Sequence, residues 1–540
     1  MKKSIKYIAT LMVAWSMVGC IENDLPYPVV KCIIESIEAE GLSGEPTINY
    51  GDNTVRLPLL ETTDIQAVEI TNVKITDKAV ESNPIVGTHD MRSPLYTTLT
   101  LYQDYPWTIT AEQNIPRHFT VEGQIGATEW NITDRTAKVY VGFEDLSNVN
   151  ITSLKLGPEG ITSMACTDNT NFNESNFGEL HDFTSPRRVD VTYHNRTEIW
   201  YLSVEYTELT VSIKRIDGWA RIAWLYGEGL SGSEMGFRYR KVGSEEWTTV
   251  ASEQITINGG SFSARIAGLE SESEYEAVAY SGDDETAPVG FTTEPVLPLP
   301  NAGFEEWSKP GKILFPYLSP ETAYWDSGNK GSATVGETIC EGSPDIRPGS
   351  SGTTSAFLRS IFASVAGIGK FAAGNIFIGT YYETVGTNGK VHFGRPFTSR
   401  PVALRGWVKF NNGKFDVIDK MPDGKPITTD DWDVGSIYIA LGTWTAAEYG
   451  GSEQSPVEIY TKDPTTFFDK HGKDVVGYGE MVLDKPISEW TQFTIPIEYV
   501  ATDIVPTHMT IVCSASSLGD YFTGSTENRM YLDDFELVWE

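Results

Sequence analysis

Apolar and polar residues alternate with a period of two along much of this chain, and no other sequence feature limits its fold as strongly. Clear examples lie at 68–76, 136–143 and 509–515. A strand places successive side chains on opposite faces, so this alternation predicts strands that each bury one face. Turns are supplied by 49 glycines and 28 prolines, and no long amphipathic helical stretch competes. We therefore predict an all-β protein built from sandwiches.

Length and charge limit the number of domains and the kinds of partner. At 540 residues the chain is too long for one ordinary core, and about 150 residues per domain predicts about three to four domains. Hydrophobic residues make up 40% of the chain, which is enough to fill such cores. The formal net charge of -33 at pH 7 argues against nucleic-acid binding, which needs a basic face.

Residues 1–19 have the composition of an export signal, with lysines first and then an apolar run at 8–18 that is shorter than a membrane span. The sequence MVGC that ends at Cys20 resembles the lipobox of bacterial lipoproteins, which implies a lipid anchor on Cys20. The alternative is an ordinary cysteine beside a cleaved signal. Glu22 and Asp24 resemble acidic surface-export signals of some Gram-negative lipoproteins. The resemblance implies an outer-membrane protein exposed at the cell surface, with the periplasmic face as the alternative.

An internal repeat appears when the chain is aligned with itself at an offset of about 81 positions. Residues 53–75 then match 135–156, and a later match places Trp107 and Trp200 at corresponding positions. Strand-rich repeats of this length predict two tandem immunoglobulin-like modules. We expect both tryptophans to lie in cores and the modules to act as spacers beside the anchor.

Residues 208–294 resemble a fibronectin type III domain. Trp224 stands where such domains place a core aromatic residue, and Leu269 precedes Tyr275 with the spacing of a tyrosine corner. The alternating prolines of 295–300 favour an extended, semi-rigid spacer, which would hold the last domain away from its neighbours.

The cysteines indicate neither a zinc site nor a redox motif, because no two of them form a CxxC pair. Cys32 and Cys166 lie in different modules, whereas Cys340 and Cys513 share the C-terminal domain. Two alternatives remain: a Cys340–Cys513 disulfide, or separate buried thiols.

The C-terminal region begins and ends with similar segments, in which aromatic residues are interleaved with acids. Residues 301–305 and 533–537 resemble the first and last strands of carbohydrate-binding jelly rolls, which pair antiparallel in one sheet. That pairing would bring Glu305 next to Asp533 and Asp534. Three neighbouring carboxylates repel one another, so we expect a structural Ca²⁺ to bind them. The alternative is that these acids face solvent on edge strands.

The whole of 301–540 resembles the putative carbohydrate metabolism domain at the C-terminus of surface lipoproteins of glycan-degrading Gram-negative bacteria. The segments that carry the resemblance span the region and include NAGFEEW, YWDSGNKG, GNIFIGTY, EWTQFTIPIEY and MYLDDFELVW. The resemblance implies a jelly roll and a role in carbohydrate use. It leaves binding and catalysis open.

These observations predict tandem immunoglobulin-like β-sandwiches followed by a carbohydrate-binding-type jelly roll. The predicted boundaries are signal peptide 1–19, anchor linker 20–29, immunoglobulin-like modules 30–112 and 113–207, fibronectin type III-like module 208–294, linker 295–300 and jelly roll 301–540.

A sugar site needs an aromatic platform beside planar polar groups, because sugars present apolar faces ringed by hydroxyls. Trp407 lies in a strand-like segment and is expected in the core. The predicted ligand-binding residues are Trp325, Asn329, Arg347, Tyr381, Arg395, Trp432 and Asp433.

Hydrolysis of a glycosidic bond needs two carboxylates across a cleft, about 5 to 10 Å apart. The chain has no GxSxG, HExxH or GxxxxGK[ST] motif, so serine hydrolase, zincin and P-loop chemistry are not indicated. The weak catalytic candidates are Asp326, Glu383, Asp431 and Asp433, and Asp520 is a further available acid.

The sequence thus predicts a cell-envelope lipoprotein that binds an oligosaccharide or polysaccharide through its C-terminal domain. It requires no organic cofactor, and glycan-uptake machinery is an expected partner. Two alternatives stay open: a glycoside hydrolase or other carbohydrate-active enzyme that uses the same domain, and a surface adhesin or structural protein.

Overall fold

Strands dominate every module of the chain, which confirms the all-β prediction. The computed structural model describes residues 31–167, 170–173, 175–333, 336–365, 368–422 and 427–540. The chain divides into two units, one ending at Gln113 and one running from Asn114 to Glu540. Cys20 and the predicted export signal lie outside the described residues. Within the described ranges, no helix has the length and apolar character needed to span a bilayer.

The first unit is a sandwich of a three-stranded and a five-stranded sheet. Its strands are β1 (Ile34–Ala39), β2 (Thr47–Asn49), β3 (Thr54–Leu59), β4 (Val68–Ile75), β5 (Val80–Glu81), β6 (Gly87–His89), β7 (Leu95–Thr100) and β8 (Asp104–Gln113). The sheet orders are β1-β4-β6 and β2-β3-β8-β7-β5, and β3 runs parallel to β8. Trp107 on β8 lies in the core, where its indole N–H donates to the carbonyl of Cys32 at 3.0 Å.

The next module repeats this pattern within the second unit. Its strands are β9 (His118–Val121), β10 (Gln124–Asn131), β11 (Thr136–Val141), β12 (Ile151–Lys155), β13 (Ser163–Ala165), β14 (Arg187–Tyr193) and β15 (Arg196–Tyr206). β11 runs parallel to β15 as β3 does to β8. Asn53 and Arg135, just before β3 and β11, both have φ 53, and each carbonyl accepts an N–H at 3.0 Å from the residue after the core tryptophan. Equivalent local geometry therefore supports the internal repeat.

The third module has the predicted tyrosine corner, because the Tyr275 hydroxyl accepts the backbone N–H of Glu270 at 2.9 Å. Its strands are β16 (Val211–Gly218), β17 (Ala223–Gly229), β18 (Met235–Lys241), β19 (Thr248–Thr249), β20 (Ile255–Asn258), β21 (Ser261–Ile266), β22 (Glu274–Ser281), β23 (Asp284–Glu285) and β24 (Val289–Thr292). The core position predicted for Trp224 is wrong. Leu225 enters the core, so Trp224 lies half-buried on the opposite face of β17, 6.2 Å from Trp219.

The prediction that 295–300 hold the last domain away from its neighbours is wrong. Leu299 packs against the C-terminal core, which also includes Ala220 of the preceding module. Arg400 forms an ion pair with Glu294 at 2.7 Å, and both side chains are largely buried. The prolines extend the chain, but their apolar neighbours bind it to the domain that follows.

The C-terminal domain consists of two facing antiparallel sheets and a separate hairpin. Its elements are β25 (Trp325–Asp326), α1 (Asn329–Ser332), β26 (Cys340–Ser343), β27 (Ser355–Arg359), β28 (Ile361–Val365), β29 (Ile368–Ala372), β30 (Asn375–Val385), β31 (Asn388–Phe393), β32 (Arg395–Pro396), β33 (Ala403–Asn411), β34 (Gly435–Gly442), α2 (Ala446–Tyr449), β35 (Gly450–Ser452), β36 (Ser455–Tyr460), β37 (Val475–Leu483), β38 (Ile487–Pro496), β39 (Glu498–Tyr499), β40 (His508–Ser514) and β41 (Arg529–Val538).

The larger sheet has ten strands, with the main order β35-β36-β31-β30-β40-β34-β37-β39; β25 pairs with β30 and β32 with β40. The smaller sheet has the order β26-β27-β41-β33-β38, and β28 and β29 form the hairpin. Aliphatic side chains of both sheets meet in one core, for example Ile439 and Ile511 from the larger sheet and Leu404 and Leu532 from the smaller. Burying such side chains contributes about 1.5–3 kcal/mol each, which holds the sheets together.

Residues 301–307 do not form the predicted first strand. They form turns and coil, with Asn301 and Phe304 at φ 47 and 55. β41 pairs instead with β27 and β33, and one backbone bond, from Phe535 N–H to the Ala302 carbonyl at 2.9 Å, joins it to the turn. The turn nevertheless lies beside β41, because the Phe304 and Phe535 rings are 5.1 Å apart.

Cys340 and Cys513 are both buried as free thiols in this core, so the structure follows the separate-thiol alternative. Burial raises the pKa of both thiols.

Candidate functional site

The outer face of the ten-stranded sheet differs in chemistry from the face that packs in the core. On β34, Ile437 and Ile439 point inward, while Ser436 and Tyr438 point outward. On β40, Ile511 points inward in the same way. The outer side chains form a second apolar cluster rich in aromatic rings, which includes Phe377, Tyr381, Phe393, Trp444, Tyr438, Phe468 and Tyr478.

A cleft of about 280 Å³ lies on this outer face. Phe377, Tyr438 and Phe522 are among its apolar lining residues. Hydroxyl and amide side chains line the rest, namely Ser332, Asn375, Thr384, Thr387, Asn388, Ser436, Thr461, Ser514, Ser516 and Ser517. Apolar walls with a few polar groups are the usual chemistry of a small-ligand site.

Asp520 is the one acid among the described residues that line the cleft. It lies on a 3₁₀ turn, Gly519–Tyr521, and is exposed to the cleft. Its carboxylate makes no hydrogen bond or ion pair with the described residues. The surrounding protein limits its solvation, which raises the pKa of Asp520 to about 6. This carboxylate therefore has its acceptor capacity available for a ligand.

Tyr438 lies beside Asp520 in the cleft wall. Burial raises its pKa well above the usual tyrosine value, and the negative charge of Asp520 raises it further. The ring stacks on Phe468 with centroids 5.4 Å apart and on Tyr478 at 5.8 Å, so its position is fixed. Tyr438 stays protonated at neutral pH and keeps its hydroxyl proton for donation.

Asp433 holds the loop that carries Asp520. It is fully buried, and its carboxylate accepts the N–H of Ser525 at 2.8 Å, the side-chain amide of Asn528 at 2.9 Å and the hydroxyl of Ser516. Burial raises the pKa of Asp433 to about 6, although these hydrogen bonds oppose the rise. The structure contradicts both predicted roles of Asp433, catalytic and ligand-binding, because no ligand can reach this carboxylate.

Two lysines lie over the ring of Phe522 at the edge of the cleft. The Lys370 ammonium is 4.6 Å and the Lys420 ammonium 5.8 Å from the ring centroid. Lys370 also forms an ion pair with Asp419, and Lys420 donates to the Thr461 carbonyl at 3.3 Å. Both cations therefore already have partners within the protein.

Several predicted ligand-binding residues are structural instead. Trp325 is fully buried 5.3 Å from the Phe304 ring, and its indole N–H donates to the Pro300 carbonyl at 2.8 Å. Asn329 is buried and uses both ends of its amide on backbone groups of 314, 339 and 340. Arg395 is buried and donates to backbone carbonyls, including that of Gly379 at 2.5 Å. A platform role for Trp325 and clamp roles for Asn329 and Arg395 are therefore wrong.

Tyr381 lines the cleft, as a ligand-binding role requires, and its hydroxyl bonds to Thr384 at 2.9 Å. The catalytic candidate Asp326 lies behind it, buried, where it accepts the Tyr381 N–H at 2.8 Å and pairs with Lys330 at 3.2 Å. Burial raises the pKa of Asp326, and Lys330 opposes the rise. Asp326 anchors strands and is closed to a substrate.

The remaining candidates lie outside the cleft. Trp432 is exposed and Arg347 pairs with Asp534 at 2.5 Å. Glu383 pairs with Lys390 at 3.5 Å, and the Asp431 carboxylate accepts the N–H of Thr428 at 2.8 Å. The structure does not bring these four predicted site residues together with Asp520.

The three predicted calcium ligands each have other partners. Glu305 accepts the N–H groups of Thr353 and Thr354, and Asp533 accepts the Arg347 N–H at 2.9 Å. Asp534 pairs with the Arg347 guanidinium, so the repulsion that suggested a cation is relieved by protein groups. Among the described residues, no group of three His, Cys, Asp or Glu side chains is arranged to hold a metal ion. Calcium binding stays a prediction without a ligand geometry.

In the sequence, Asp520 is only one of several acids available for a catalytic role. Its neighbours in the cleft come from distant strands, β30 and β34, and the loop before β41. The local sequence LGDYF marks a turn but carries no sign of which strands surround it.

Residues 303–538 match the family model described as "Putative carbohydrate metabolism domain". The match covers the two sheets and the cleft, so the predicted family resemblance of the C-terminal domain is confirmed. No curated protein matches the chain.

Several solved structures match the chain at low sequence identity and low TM-score. A putative glycoside hydrolase from Bacteroides thetaiotaomicron is 15% identical over 95% of this chain and 98% of its own, with a TM-score of 0.31. A putative glycoside hydrolase from Bacteroides vulgatus is 22% identical over 44% of this chain and 97% of its own, with a TM-score of 0.33. A surface glycan-binding protein from Prevotella bryantii is 11% identical over 78% of this chain and 98% of its own, with a TM-score of 0.16.

Proposed function

We propose that this protein captures a glycan in the cleft on the outer face of the ten-stranded sheet. One observation carries the proposal: Asp520 makes no hydrogen bond or ion pair with the described residues, and it faces a cleft walled by aromatic rings and hydroxyl groups. The cleft lies within the part of the chain that matches a carbohydrate-related family.

The chemistry of a sugar complements this lining. Apolar C–H faces of a pyranose pack on aromatic walls, and its hydroxyls donate to a carboxylate or exchange hydrogen bonds with serine, threonine and asparagine. A hydrogen bond to an ionised acceptor is about twice as strong as a neutral one, so Asp520 would anchor the sugar. A volume of about 280 Å³ is near the lower end for ligand pockets, which favours one short segment of a glycan.

Hydrolysis in the same cleft would need a second carboxylate about 5 to 10 Å from Asp520. Asp520 has the raised pKa that suits a general acid, and it is the single acid of the described lining. We therefore propose binding as the function and test for hydrolysis in the same experiment.

We further propose that the protein is anchored through lipid on Cys20 at the outer membrane and presents its glycan to uptake machinery. The support is the sequence of the first 24 residues. A Cys20→Ala variant should leave the membrane fraction and lose label from radioactive palmitate. Retention of label in that variant would contradict the anchor, and protease accessibility on intact cells would distinguish the two faces of the membrane.

The binding proposal is tested with the purified full chain by affinity electrophoresis in gels that contain plant, host or microbial polysaccharides. The same mixtures are assayed for released reducing sugar. We expect retardation by at least one neutral polysaccharide, its loss in Asp520→Ala, and its retention in Glu536→Ala, a matched exposed acid on the other sheet. Release of sugar would favour the hydrolase, and retardation by none would favour the adhesin.

A further inference from the structure

The charges in the cleft determine which glycans it can accept. Among the described lining residues, the charged side chains are Asp520 and Lys370. Lys370 is paired with Asp419 and lies over the Phe522 ring, whereas no cation of the described ranges pairs with Asp520. The charge left without a partner in the cleft is therefore negative.

The other polar groups of the lining are neutral. Ser436, Thr387, Ser517 and Asn388 can each donate and accept hydrogen bonds, as sugar hydroxyls also do. Such groups cannot neutralise a carboxylate, sulfate or phosphate on a ligand. An anionic sugar would face Asp520 in a site of limited solvation, where like charges repel strongly.

A neutral sugar avoids this repulsion. Its hydroxyls supply the hydrogen-bond donors that the described residues do not offer to Asp520. Lys370 and Lys420 at the edge of the cleft already contact the Phe522 ring and other protein groups, so neither supplies a free cation for an anionic sugar.

We infer that the cleft is selective for a neutral glycan, whose hydroxyls donate to Asp520, over an anionic one, and that it rejects uronic acid and sulfated sugars. This inference rests on the proposed function and specifies the ligand class of that site. The net charge of -33 adds a longer-range repulsion of anionic polymers, which salt screens.

The test uses matched polysaccharides and the full chain. Glucan, mannan and galactan are each compared with their C6-oxidised uronate forms by affinity electrophoresis and calorimetry at low and high salt. We expect the neutral form of the bound backbone to bind at least about tenfold more tightly than its uronate form. High salt should reduce the difference in affinity between the neutral and uronate forms without removing it. Salt screens the long-range repulsion by the net charge more than it screens the repulsion between the uronate and Asp520 inside the cleft.

Asp520→Asn isolates the charge from the shape of the site. It should weaken neutral binding about tenfold or more and reduce the preference over the uronate, since a charged acceptor is replaced by a neutral one. Glu536→Gln, an exposed acid on the other sheet, should leave both affinities unchanged. Because Asp520 makes no hydrogen bond or ion pair with the described residues, the variant should melt at a temperature no lower than that of the parent.

Equal or tighter binding of the uronate polymer would overturn the neutral-glycan inference and leave glycan capture standing. Unchanged neutral affinity in Asp520→Asn would also overturn it. If no backbone binds in any form, the proposed function itself fails, and this result is distinct from the other two.

Discussion

Asp433 and Asp520 lie in two regions of one domain and share a pKa of about 6, yet their surroundings give them different roles. The Asp433 region is closed, and Ser516, Ser525 and Asn528 donate to its carboxylate. The Asp520 region is open to the cleft, and no described residue donates to its carboxylate. Restricted solvation perturbs both acids, so the raised pKa alone does not mark a ligand site. A ligand site is indicated instead by an acid whose oxygens accept no hydrogen bond from the described residues.

The same distinction separates the two faces of the ten-stranded sheet. The inner face carries aliphatic side chains that are sealed against the smaller sheet, such as Ile437, Ile439 and Ile511. The outer face carries aromatic and hydroxyl side chains and an open cleft. The inner face holds the domain together, so side chains of the outer face can differ without loss of the fold and can suit a ligand.

Replacing the two acids should give the largest difference between the regions. Asp433→Ala should lower the free energy of unfolding by about 3–5 kcal/mol, because it leaves several buried donors without an acceptor. Asp520→Ala should leave it unchanged or raise it at pH 7, because Asp520 makes no hydrogen bond or ion pair with the described residues and its raised pKa means that folding disfavours the ionised form. Urea denaturation of both variants measures this. Equal destabilisation would show that Asp520 is also structural and remove the contrast.

The pH dependence of the free energy of unfolding should show how the buried Asp433 carboxyl affects stability. Its pKa is about 6 in the folded protein and about 3.9 in an unfolded chain, so between these pH values only the folded state holds the proton. The free energy of unfolding therefore falls as pH rises from 4 to 6, and Asp433 contributes up to about 1.4 kcal/mol per pH unit to this fall.

Denaturation of Asp433→Asn between pH 4 and 6.5 checks this expectation, since the amide cannot titrate and the slope should become less negative. Asp431→Asn is the control, because the backbone N–H of Thr428 lowers the pKa of Asp431 and moves its titration below this range. A slope that is unchanged in Asp433→Asn would contradict the assigned pKa.

The smallest effect is expected at Trp432, which is exposed and lies outside the cleft. Trp432→Ala should change stability by less than about 0.5 kcal/mol and the glycan affinity by less than about twofold. Scanning calorimetry measures the stability, and titration calorimetry with the polysaccharide that binds the parent protein measures the affinity. A large loss of affinity would move the site toward Trp432, as the sequence predicted, and weaken the case for the cleft.

Local patterns predicted most of the fold. Alternation predicted the strands, the repeat predicted matched modules with buried Trp107 and Trp200, and Leu269 with Tyr275 predicted the tyrosine corner. These signals succeed because they depend on residues that are close in sequence.

Predictions that required knowing which face a residue occupies failed more often. Trp325 resembled a sugar platform by its polar neighbours, but the sheet turns it into the core beside Phe304. Trp224 resembled a core residue, but alternation on β17 places it outside. The turn at 301–307 resembled a strand, although Phe304 has a left-handed backbone.

The sequence by itself determined the all-β class, the modular order and the family resemblance of the C-terminal domain, because strand period and turn chemistry are local. The tertiary structure decided which acid receives hydrogen bonds from the protein and which acid faces the cleft. Asp433 gains its donors from a loop that precedes β41, while Asp520 of the same loop lies beside Tyr438 of β34 in the cleft. Such contacts depend on strand pairing over long separations, which no local pattern encodes.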